Sequence, residues 1–299
     1  MKGCREIMNQ EQLPFGIGIL AWKAHKTLEN TLSALTDQIP ASCFLDAVVF
    51  CQEITDEDRA VAQKYGFRAE GNSRNVGILG GIKGAVSAVQ ADVVLFLECD
   101  CLLIEGKDVA RQSLAAAADD LLNDKLDVVR LRHLKDPGED YCSTLKYLRY
   151  WSYGSTEPSR FLPWLRRMLR PEKATRLIGE SCRVCSNPEE VFPNKISRLP
   201  SGNLCVDSAS LSWTNQSIMF CKAWFLETII PYAEAHPRSR GVNGFPDLEK
   251  EMNCRWWRKQ GFKIGWANPG LFTHYRVDRP DGDQKVYIHK ERHLSSNQE

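Results

Sequence analysis

The stretch VVLFLECD, residues 93–100, places five apolar residues in a row and then two carboxylates, Glu98 and Asp100, one residue apart. An unbroken apolar run of this length reads as a strand buried on both faces. Upstream, Ile78, Ile82, Val86 and Val89 fall at helical spacing. FGIGIL (15–20) and AVVFC (47–51) read as two earlier strands, with Leu28, Leu32 and Leu35 marking a helix between them. DEDRAVAQKY (56–65) reads as a polar helix ending at Gly66. This alternation predicts an α/β protein whose parallel sheet is joined by crossover helices. Sites in such sheets lie at the carboxyl ends of strands, where Glu98 and Asp100 stand. Two carboxylates there are costly without a positive counter-charge. Magnesium or manganese, which prefer hard oxygen ligands, would supply it. A solvated turn is the alternative.

Composition sets the outer limits. The chain has 299 residues, with 39 Lys+Arg against 38 Asp+Glu and a formal net charge of +1. That balance gives no bulk electrostatic reason to expect a nucleic-acid partner. Eleven cysteines cannot all pair within one chain, and the opening MKGCREIMNQEQLP lacks the order of a signal peptide. The reading is free thiols in a cytoplasmic protein. No apolar run reaches the ~18 residues that span a bilayer, so the chain is expected to be soluble or peripheral to a membrane. The sequon at Asn215 is read as an unmodified polar loop.

Residues 136–205 lose the strand-helix rhythm and read as an insertion. Within it, residues 160–170, RFLPWLRRMLR, interleave basic and large apolar side chains. The stretch 159–176 is a candidate for peripheral contact with an anionic membrane or for gripping an acidic acceptor. The simpler reading is a helix whose apolar side packs on the domain. Cys182 and Cys185 have the spacing of half a zinc site, without an obvious second pair. Regular structure resumes at Leu211. A short strand is expected at 217–220, and a helix at 223–230 that stops near Pro231. A further helix buries Leu248, Met252 and Trp256, with Asp247 as its N-cap. Short strands at 263–267 and 271–273 precede His274, and the polar tail 280–299 is expected to fray. Trp213, Trp224, Trp256 and Trp257 are either an acceptor wall or core.

Taken in order, FGIGILAWK, AVVFCQEITD, NVGILGGIKGAVSAVQADVVLFLECD, PDLEKEM and GLFTHYR resemble the nucleotide-sugar glycosyltransferases of the GT-A fold, particularly the inverting family 2 group. The resemblance covers most of 14–104 and 211–279. It implies one domain over 1–279 with a mixed, mostly parallel sheet. A nucleotide-sugar half would span 14–135 and an acceptor and catalytic half 206–279. It implies a metal site of Glu98, Asp100 and His274 for Mn2+ or Mg2+, with Glu98 standing where Asp is usual. Leu20, Ala21, Trp22, Glu53, Asn75, Gly80, Gly81, Lys83 and Cys99 would join Glu98 and Asp100 around the donor, Lys83 at a phosphate. Gln52 and Glu53 stand where an Asp often reads the base. A UDP-sugar is the default donor and a GDP-sugar the other candidate, with a glycan or other hydroxyl as acceptor. Asp247 would be the general base and Glu249 its substitute. The rival readings are a nucleotidyltransferase of similar fold and a non-catalytic nucleotide-sugar or membrane-surface binding module.

Overall fold

The computed structural model describes residues 12–138, 142–151, 161–237 and 244–277. The expected alternation is present in the first half. Strands β1 (Gly16–Ala21), β2 (Ala47–Gln52), β3 (Arg68–Asn72) and β4 (Val93–Glu98) are linked by helices α1 (His25–Gln38), α2 (Asp56–Lys64) and α3 (Gly77–Ala88). The strand period of two explains how one sheet serves two cores. Ile17, Ile19, Val49 and Leu95 belong to one buried cluster, with Leu28, Leu32 and Leu35 of α1. Val48, Phe50, Val94 and Phe96 belong to the other, with Ile82 and Val86 of α3.

After β4 come β5 (Cys101–Leu103), α4 (Lys107–Leu122), β6 (Val128–Arg130), α5 (Cys142–Trp151) and α6 (Phe161–Leu169). Then follow β7 (Ile196–Arg198), β8 (Leu204–Asp207), β9 (Ile218–Cys221), β10 (Lys263–Trp266) and β11 (Phe272–His274). The main sheet runs β3-β2-β1-β4-β9-β6-β10-β8-β7, and β11 pairs with β5 in a separate ribbon. Pairing is parallel from β3 through β4, and again between β6 and β10. Only β9 and β8 run against the other strands of this sheet. The sheet thus draws its edge strand β7 and the start of β8 from the stretch read as an insertion. Buried Asp120 of α4 ties that edge back, its Oδ2 accepting from Ser201 Oγ at 2.5 Å and Asn203 Nδ2 at 2.8 Å.

Several local expectations are corrected. Gly80 and Gly81, which the resemblance sets around the donor, lie inside α3. A Cβ at Gly84 would run into the ring of Phe50, so the glycine lets the helix sit close on β2. The helix expected to stop at Pro231 continues to Ala235. Its preceding turn, Phe225–Ile229, is a π-helix, the wider register in which a residue without an N–H is tolerated. The single helix expected over Leu248, Met252 and Trp256 is two, Leu248–Met252 and Arg255–Lys259, so Trp257 replaces Trp256 as the buried ring. Trp213 and Trp257 are core residues whose indole N–H groups donate to Asn215 Oδ1 and the Leu211 carbonyl. Helix α6 does not pack its apolar side on the domain: Phe161, Leu162, Trp164, Met168 and Leu169 are exposed. No helix among the described residues is long and apolar enough to cross a membrane.

Candidate active site

The carboxyl ends of β1, β2 and β4 open into a cleft of about 310 Å³. Leu20, Ala21 and Trp22 line it from β1, Gln52 from β2, and Asn75, Gly77 and Ile78 from the entrance to α3. Glu98, Cys99 and Asp100 form its β4 side, and Phe245 and Arg276 reach it from the second half. The turn after β4 is held from both sides: the Cys99 N–H donates to the Leu20 carbonyl at 2.9 Å, and the Cys99 carbonyl accepts from Thr31 Oγ1 at 2.6 Å. Burial keeps the Cys99 thiol protonated by pushing its pKa well up.

His274 arrives through the β5–β11 ribbon. Antiparallel register sets His274 opposite Cys101, and the Tyr275 N–H donates to the Asp100 carbonyl at 2.8 Å. A backbone next to Asp100 therefore delivers a side chain next to Asp100, with His274 Nε2 lying 3.0 Å from Asp100 Oδ2. Gly270 makes the approach to β11 possible: its φ is +87°, and a Cβ there would meet the backbone of His133 at 2.7 Å. Glu98, Asp100 and His274 each offer one ligand atom, all within 4.8 Å of one another. Asp100 Oδ1 is buried and has no hydrogen-bond partner. An orphaned carboxylate oxygen beside a second carboxylate and an imidazole is a donor set suited to Mn2+ or Mg2+.

The electrostatics bind the two halves together. Burial, then the charges of Asp100, Glu249 and Asp247, raise the Glu98 pKa from an ordinary 4.5 to about 8. Arg132 opposes that rise. It is a buried residue just beyond β6, anchored by its Nε to the Pro137 carbonyl at 2.8 Å and by Nη1 to Gln216 Oε1. Asp247 and Glu249 are thus close enough for their charges to act on Glu98. Asp247 is the N-cap of the helix Leu248–Met252, its Oδ1 accepting from the Glu249 N–H at 3.1 Å. Its other oxygen lies 3.4 Å from Lys250 Nζ.

The structure brings most of the sequence-derived set together and leaves four residues out. Lys83 does not line the cleft; its ammonium is 2.6 Å from Glu234 on an exposed side of α3. Gly80 and Gly81 serve α3 packing, Gly81 against Gln52 and Leu20. Glu53 braces the rim, accepting from Trp22 Nε1 at 2.7 Å and pairing with Lys23 Nζ at 2.8 Å. Arg132, Arg276 and Phe245 escaped the sequence reading. Arg276 was accessible to it, two residues beyond His274 in GLFTHYR; Arg132 carried no local signal. Among the described residues Arg276 has no carboxylate partner, and it lies near enough to act on the Cys99 thiol.

No family model matches the chain, and no curated protein matches it. Solved structures are similar to it. Residues 1–349 of S. aureus TarS align with a TM-score of 0.47 and 12% identity, covering 88% of this chain and 60% of that one. Glucosyl-3-phosphoglycerate synthase from Mycobacterium tuberculosis, solved with Mn2+, UDP and glucosyl-3-phosphoglycerate, aligns at 0.44 and 14%, covering 90% and 73%. The mannosyltransferase PcManGT from Pyrobaculum calidifontis, solved with GDP-Man and Mn2+, aligns at 0.35 and 16%, covering 42% and 36%. The chain spans less than two thirds of the TarS fragment and of PcManGT.

Proposed function

We propose that this protein is a divalent-metal-dependent, inverting glycosyltransferase that moves a sugar from a nucleoside-diphosphate sugar to an acceptor hydroxyl. The observation that carries this reading is the meeting of Glu98, Asp100 and His274 beside one cleft, within electrostatic reach of Asp247 and Glu249. Asp100 would hold the ion through Oδ1, with Glu98 and His274 completing the protein ligands. Bound Mn2+ or Mg2+ supplies Lewis-acid neutralisation of charge on the departing diphosphate. Arg276, on the cleft wall, offers a guanidinium to phosphate oxygens on the same side.

The nucleoside then extends toward β2 and α3. There the Gln52 and Asn75 side-chain oxygens already accept from the backbone N–H groups of Val76 and Gly77, at 2.8 and 2.7 Å. The groups left to meet a base are the two amide NH2 donors. Donors suit a base with two carbonyl oxygens, which supports uracil over guanine. In the transfer itself Asp247 accepts the hydroxyl proton as the acceptor oxygen bonds to the anomeric carbon and the bond to diphosphate breaks. A single displacement of this kind inverts the anomeric configuration. The nine cysteines whose side chains are described are free, which supports a reducing, cytoplasmic setting.

The test is a panel of UDP- and GDP-sugars with Mn2+ and hydroxyl acceptors. The expected result is release of nucleoside diphosphate, fastest from a UDP-sugar. Release of pyrophosphate would make the protein a nucleotidyltransferase, and binding without turnover would make it a binding module.

A further inference from the structure

Helix α6 reverses the usual arrangement of a surface helix. Its inward side holds Pro163, which is buried, and Arg167, which donates to the Tyr150 carbonyl at 2.6 Å and lies 5.0 Å from the Trp151 ring centre. Arg166 donates to the Arg149 carbonyl at 2.9 Å. Its outward side carries Phe161, Leu162, Trp164, Met168 and Leu169, from 49% to 72% exposed, with the Phe161 and Trp164 rings 5.8 Å apart. Leu145 of α5 adds a further exposed side chain at 61%. A helix at a protein surface normally turns its apolar stripe inward, and a contiguous exposed patch marks a contact surface.

Charge identifies the partner. Besides the inward-facing Arg166 and Arg167, the same segments carry Lys146, Arg149, Arg170, Lys173 and Arg176, of which Lys146, Arg149 and Arg170 are exposed, and Glu172 is the one carboxylate in 142–151 and 161–177. None of these cations has a carboxylate partner among the described residues. A second copy of the chain, docked symmetrically, would set the same cations face to face. An anionic bilayer satisfies both features at once: the apolar side chains enter the headgroup boundary while the exposed cations Lys146, Arg149 and Arg170 stay at the lipid phosphates.

We propose that the outward face of α6, with its basic surround, docks on the surface of an anionic phospholipid bilayer. This does not depend on the catalytic reading. The experiment is flotation of the full chain with phosphatidylcholine vesicles, with and without phosphatidylglycerol. The protein should float with the phosphatidylglycerol vesicles, stay behind with phosphatidylcholine alone, and be released by salt. Trp164→Ser combined with Met168→Ser should lower partitioning on the order of tenfold. Arg170→Gln, which leaves the apolar face intact, should lower it roughly fivefold. Both variants should keep the wild-type melting temperature, because the altered side chains are exposed. Binding indifferent to phosphatidylglycerol, or no binding to either vesicle, would overturn the proposal. So would a dimer in velocity sedimentation that Trp164→Ser dissolves, since the patch would then belong to a second copy.

Discussion

Asp100 has two oxygens in different circumstances: Oδ2 lies 3.0 Å from His274, while Oδ1 is buried with no partner. Glu98 beside it is held protonated near neutral pH, its pKa raised to about 8 chiefly by burial and by Asp100. Between pH 4.5 and 8 the folded state therefore binds a proton that the unfolded state has released. Stability falls as pH rises through that window, because unfolding there releases the proton. Melting temperatures of the metal-free protein should drop from pH 5 toward pH 8 more steeply than those of Glu98→Gln. Mn2+ should oppose the drop by neutralising the ionised group, and a wild-type profile parallel to that of Glu98→Gln would refute this account of Glu98. Asp247 carries two roles at one position, cap and proposed base. Asp247→Asn separates them, since asparagine caps equally well and accepts no proton. It should melt with the wild type and transfer sugar at least roughly a hundredfold more slowly. If Asp247→Asn is fully active and Glu249→Gln is dead, the base is Glu249.

At the level of elements, α3 shows how packing overrides propensity. Alanine is the better helix former by about 1 kcal/mol. At Gly84, however, the added methyl meets the Phe50 ring. Gly84→Ala should accordingly destabilise the protein by about 1–3 kcal/mol, the range for an overfilled core. Denaturant titration reads the sign directly, and a stabilised variant would mean that α3 does not lie against β2 as described. The elements legible in the sequence were those with strong period and full burial, such as β1, β4 and α1. Strand β3 was not, because RAEGN is an edge strand paired only with β2, its Arg68 bonded to Asp46 and Glu70 instead of to a core. The short elements of the second half were misread where local rules competed: Pro231 stops an α-helix by rule, yet here it follows a π-turn.

Across the whole molecule, the candidate site is a product of long-range pairing. Glu98 and Asp100 could be found from VVLFLECD alone, because a buried strand ending in two carboxylates is a local pattern. His274 entered through a resemblance of motifs; what sets it against Asp100 is the β5–β11 register, which no local pattern encodes. Arg132 belongs to the same class of tertiary facts, whereas Arg276 stands within the GLFTHYR motif itself. The central claim is that one divalent ion and a diphosphate share this Glu98–Asp100–His274 end of the cleft. Calorimetric titration of UDP into the protein, with and without Mn2+, tests it most directly. UDP should bind with Mn2+ and only weakly without it, and His274→Ala and Asp100→Ala should each abolish the difference. Equal affinity with and without Mn2+ in the wild type would contradict the claim.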